Sequence, residues 1–209
     1  MAVMEQTLKD LHGAGEHRKP LEYTHGGSVN ILGFWLFLAT DLMVFATLFA
    51  TYLILKTHTD GGPTAAGIFD IPGYVAETFI LLTSSFTCGL ATYSMRKNAK
   101  AAALTWLAIT MALGLAFVGL EASEFAKDVA DGATMQRSAF LSAFYTLVGT
   151  HGAHVSLGIL WMASLFFQIA RRGFDAVRAR KLFVVGLYWH FLDIVWVFIF
   201  TVVYTMGVR

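Results

Sequence analysis

Two long apolar stretches of the chain are each interrupted by ionisable side chains. One carries His151 and His154 within Gly149-Thr150-His151-Gly152-Ala153-His154, the other His190 and Asp193 within Tyr188-Trp189-His190-Phe191-Leu192-Asp193-Ile194-Val195-Trp196. Imidazoles and carboxylates are metal ligands, acids and bases, so several chemistries are open. His151 and His154, three apart on one helix face, cannot reach opposite faces of one haem, whereas His154 and His190 from different helices could. His151, His154 and Asp193 are acceptable ligand types for zinc. The competing reading is a set of buried, hydrogen-bonded structural groups, and the spacing is no more specific than that. Asp41, Glu77, Glu121, Glu124 and Asp193 read either as a proton relay or as interhelical packing by uncharged carboxyls. In every case a charge at mid-bilayer costs about 2.5–3.5 kcal/mol, so such groups need partners.

The elements that position these residues follow from composition. Of 209 residues 56% are apolar and 14% charged, with 18 Phe and 5 Trp, more apolar surface than a water-soluble domain of this size can hide. Five stretches reach the roughly 20 residues needed to cross a hydrocarbon core, near 31–55, 74–95, 101–125, 138–170 and 182–207. They read as helices, because a helix alone satisfies its own backbone in lipid and none alternates like a barrel strand. The fold class is therefore all-α, a bundle of five transmembrane helices spanning 30–209, preceded by a polar tail at 1–29. The tail has no apolar core of a cleavable signal, so the first span is expected to act as its own insertion signal. His12, His17 and His25 in it lack ligand spacing and read as solvated loop. Gly61-Gly62-Pro63 and Ile71-Pro72-Gly73 mark an irregular first connection, and the short Arg96 to Lys100 connection requires an antiparallel hairpin.

Eleven of the fifteen Lys and Arg residues fall on the side of the N-terminal tail and four on the other, which predicts a cytoplasmic N-terminus and a periplasmic C-terminus. Counting about 1.5 Å per residue from the flanking boundaries sets Asp41, His154 and Asp193 within about 3 Å of the midplane. The same count sets Glu77 and Glu121 together, about 11 Å toward the outer side, on the two arms of the hairpin. A net charge of +1 gives no reason to expect a nucleic acid, and Cys88 is the single cysteine, leaving no intrachain disulfide and no Cys-based metal site. Gly149 with Ala153, Gly152 with Ser156 and Gly119 with Ser123 are small pairs that let helices approach, and Trp189 and Trp196 are expected to be buried between helices.

The pattern resembles subunit III of the haem-copper terminal oxidases. The resemblance rests on the two motifs above, on Glu121-Ala122-Ser123-Glu124-Phe125, on Gly33-Phe34-Trp35-Leu36-Phe37-Leu38-Ala39-Thr40-Asp41 and on Glu77-Thr78-Phe79, in order over about residues 30–207. Five helices rather than seven, and Asp41 where many members carry Glu, bring the chain closest to the cytochrome bo ubiquinol oxidase branch. The resemblance implies a non-catalytic subunit, with no catalytic, metal or cofactor-binding residue of its own. Haems and copper belong in such complexes to subunit I, the main expected contact, with subunits II and IV as further partners. Assembly, bound phospholipid and protection of subunit I are the implied roles, in the bacterial inner membrane. Asp41, His151, His154, His190 and Asp193 then form a structural or lipid-associated cluster. A cytochrome c or menaquinol oxidase subunit, or a stand-alone proton-translocating protein, are the competing readings.

Overall fold

The computed structural model describes residues 25–59 and 71–205; the readings of the rest of the tail, of Gly61-Gly62-Pro63 and of Arg209 lie outside the described residues. Five helices follow one another: α1 His25–Leu55, α2 Ile71–Arg96, α3 Lys100–Ala130, α4 Ala139–Arg172 and α5 Ala176–Ile199. A 3₁₀ turn, Met135–Arg137, precedes α4, and α5 runs on into a wider π-helical stretch, Phe200–Thr205. All five are long and apolar enough to cross a membrane, and the described residues contain no strand. The described residues form a bundle of five helices able to span a membrane.

The helices outrun the expected apolar cores at several ends, for local reasons. Gly173 at φ 70° stops α4, and Asp175 then accepts the Arg178 backbone N–H at 2.7 Å, so α5 starts with the polar turn Ala176–Lys181 that apolarity alone passes over. Ile71 and Pro72, read as loop, lie in the first turn of α2, where the missing proline N–H costs nothing. His25, read with the tail, opens α1. Asn98, at φ 57°, turns α2 into α3 within three residues. Ser138 caps α4 by accepting from Leu141 N–H at 3.2 Å.

Helices α2, α3, α4 and α5 close a ring in which each packs on the next and α5 returns to α2, while α1 lies outside it against α4 and α5. The antiparallel pair α1 and α4 meets through Phe34 with Trp161 and Tyr52 with Phe140. The core is aromatic: Trp189, Trp196, Tyr52, Phe45, Phe117, Phe140 and Phe144 are fully buried. Leu32, Leu36, Met43, Ile54, Phe79 and Phe86, by contrast, are more than half exposed, a surface that only lipid or another chain can cover.

Trp189 occupies a slot made by absence of side chains. A Cβ on Gly114 of α3 would stand 2.8 Å from its indole, and one on Gly158 of α4 3.2 Å. Neither glycine belongs to the small pairs read from the sequence. Gly114→Ala is therefore expected to destabilise the bundle by about 1–3 kcal/mol, because the rigid indole cannot yield. Gly119→Ala, where nothing lies within 4 Å, should be silent in the same thermal-unfolding measurement in detergent.

Candidate functional site

Asp41 of α1 and His154 of α4 face each other across the interface that attaches α1 to the ring, His154 Nε2 lying 3.2 Å from Asp41 Oδ1. The other ring nitrogen, Nδ1, donates to the Thr150 carbonyl at 2.7 Å, one turn back on α4. A carbonyl only accepts, so Nδ1 carries a hydrogen and Nε2 is left either as a lone pair or as the second N–H of an imidazolium. Contact with Asp41 then requires one proton between the two, on the carboxyl or on the ring. The pair is neutral overall whichever partner carries the proton, so it adds no net charge in lipid. Phe45, one turn below Asp41, covers the ring at 5.2 Å, and Tyr188 of α5 donates its hydroxyl to the His154 carbonyl at 3.1 Å.

The other members of the central set point elsewhere. His151 is completely buried; its Nε2–H donates to the Leu192 carbonyl of α5 at 3.2 Å, and its ring lies among Phe45, Phe117 and Trp196. His190 bonds through Nδ1 to the Ser85 hydroxyl of α2 at 2.7 Å, and Asp193, one turn along, stands beside both. Asp41 and His154 are thus brought together, while His151 serves α4 with α5, and His190 with Asp193 serves α2 with α5. His154 faces Asp41 through Nε2, while His190 turns to Ser85. The described His, Cys, Asp and Glu residues form no group of three placed to hold a metal ion.

Sequence reading missed the hydroxyls that complete these ties. Trp189 Nε1 donates to Ser84 at 3.0 Å and Trp196 Nε1 to Thr78 at 3.0 Å, both on α2, and Thr87 meets Thr110 of α3 at 2.8 Å. The regular retreat from Ser84 to Thr78 as Trp189 advances to Trp196 reflects the antiparallel run of α2 and α5. A buried Trp at mid-span, which needs an acceptor, was the signal available. Glu77 and Glu121 are both buried where α2 and α3 meet, with Glu124 in electrostatic reach of each. The Glu121 carboxyl lies against α4 at Gly152, whose hypothetical Cβ would come within 2.7 Å of Oε2.

The polar groups Asp41, His154, His151 and His190 tie neighbouring helices of the bundle to one another. The family model for cytochrome c oxidase subunit III matches residues 1–208, and the chain belongs to that family. Similar proteins include cytochrome bo(3) ubiquinol oxidase subunit 3 of Pseudomonas aeruginosa, 50% identical over 99% of this chain and 98% of that protein. The quinol oxidase subunit 3 of Bacillus subtilis is 46% identical over 92% and 95% of the two chains. The probable quinol oxidase subunit 3 of Staphylococcus haemolyticus is 50% identical over 88% and 92%.

Proposed function

We propose that this chain is the non-catalytic third subunit of a proton-pumping ubiquinol oxidase of the bacterial inner membrane, where it supports assembly and protects the catalytic subunit during turnover. The observation that carries the reading is the end-to-end similarity, at 50% identity, to the Pseudomonas aeruginosa ubiquinol oxidase subunit. The geometry is in keeping with it: Asp41, His151, His154, His190 and Asp193 tie helices together, and the haems and copper then reside in subunit I. The eleven-to-four charge split favours a cytoplasmic N-terminus and a periplasmic C-terminus. Bound phospholipid fits a groove of 440 Å³ between α1, α4 and α5, where Phe34, Phe37 and Trp161 offer an apolar wall and Arg180 with Lys181 two cations at one end.

The test compares purified oxidase with and without this subunit, quantified by haem. Quinol oxidation without it should start partly active and decay faster over repeated turnover. A fully assembled, haem-replete complex with no activity from the first turnover would refute a purely supporting role.

A further inference from the structure

The carboxyls at the end of the bundle where α2 begins and α3 ends are not explained by packing. Glu77 is 1% exposed, and neither of its carboxyl oxygens has a hydrogen-bond partner among the described residues. Glu121 is 5% exposed, with Oε1 likewise unpartnered and Oε2 seated against the glycine backbone at Gly152. The groups facing the two are Glu124 of α3, Tyr74 of α2 and the buried Tyr204 of the π-helical stretch, and among the described residues no lysine or arginine pairs with either. Carboxylates this close in a low-dielectric interior cannot all be ionised, so the site must hold either protons or a cation. Among the described residues these carboxyls form no group of three metal ligands, and a proton removes the repulsion without any further partner.

The same cluster has a way out. Glu121, Glu124, Asp128 and Asp131 lie three or four residues apart on one face of α3, and go from buried through half-buried to exposed over about 15 Å of helix. Each step is close enough to interact: Glu124 with Glu77 and Glu121, the Tyr74 hydroxyl with Glu124 and Asp128, and Asp128 with Asp131. Tyr145 of α4 and Lys127 flank Asp128.

We propose that Glu77 and Glu121 form a proton-binding site inside the bundle, connected to one membrane surface by the carboxyl ladder Glu124, Asp128 and Asp131. A proton taken up at Asp131 is matched by one released along the ladder, so the buried pair exchanges protons with that surface without acquiring a charge.

The experiment is infrared difference spectroscopy on the purified complex containing this chain. Glu77→Gln, which keeps shape and neutrality, should assemble and lose one carboxylic acid C=O band, the band moving in wild type on transfer to deuterated buffer. Glu124→Gln and Asp128→Asn leave the buried pair in place and should slow that deuterium exchange by about tenfold or more. They keep the exchange arm available even if Glu77→Gln fails to assemble, since the acid band can then be followed in them and in Glu121→Gln. An ionised carboxylate at Glu77, or a metal ion copurifying at one per complex and lost in Glu77→Gln, overturns the proton site. Exchange as fast in both ladder variants as in wild type overturns the connection.

Discussion

Truncation of Trp189 to alanine is expected to cost the bundle about 3 kcal/mol. Lipid tails solvate apolar side chains as well as a protein interior does, so the loss is not one of transfer from water; it is the loss of close packing in a slot that nothing else fills. The indole is 2% exposed and is held by Gly114 of α3, Gly158 of α4 and the Ser84 hydroxyl of α2, so its removal loosens every helix of the ring at once. Trp189→Phe keeps part of the packing and forfeits the hydrogen bond, at about 1–2 kcal/mol. Ser84 still donates to the Leu81 carbonyl at 2.9 Å in both variants and is not stranded. Equal destabilisation by alanine and phenylalanine, measured by thermal unfolding in detergent, would show that the hydrogen bond and not the packing holds α5 in place.

The second large effect is at the interface of α1 with the ring, and depends on which substituent replaces Asp41. Asp41→Ala should cost about 1–3 kcal/mol, because it strands His154 Nε2 at mid-span. His154→Ala strands the Asp41 carboxyl and should cost at least as much. Asp41→Asn is expected to be nearly silent, since an amide N–H can donate to the Nε2 lone pair while Nδ1 keeps its bond to the Thr150 carbonyl. A double-mutant cycle on subunit retention in the purified complex measures the coupling, expected at about 1–3 kcal/mol. If asparagine proves as damaging as alanine, the shared proton sits on the ring and the pair is ionic rather than a neutral hydrogen bond.

The helix number and the matching level of Asp41 and His154 are legible in the sequence because both depend on counting residues along an axis. Asp41 and His154 illustrate the method: equal depth on two helices, and 3.2 Å apart in the structure. Rotation about the axis is another matter. Asp193 has the same depth by the same count, yet its helix face turns it to Ser85 and away from Asp41. Ser84, Ser85 and Thr78 carried no signal of their own, as hydroxyls in lipid-spanning helices usually bond their own backbone, as Thr83 does to the Phe79 carbonyl. Gly114 and Gly158 were passed over for a similar reason: a glycine reveals a slot only when the indole on another helix is known to fill it.

The attachment of α1 to the last two helices bears on how the chain is made. Synthesis delivers α1 first, but its polar partner His154 leaves the ribosome more than a hundred residues later, on the order of ten seconds at ordinary elongation rates. During that interval Asp41 has no imidazole to share a proton with, and a carboxyl at mid-membrane costs about 2.5–3.5 kcal/mol. The nascent first helix carries that cost until α4 arrives. Docking of α1 through the Asp41–His154 contact is possible only once α4 has been made.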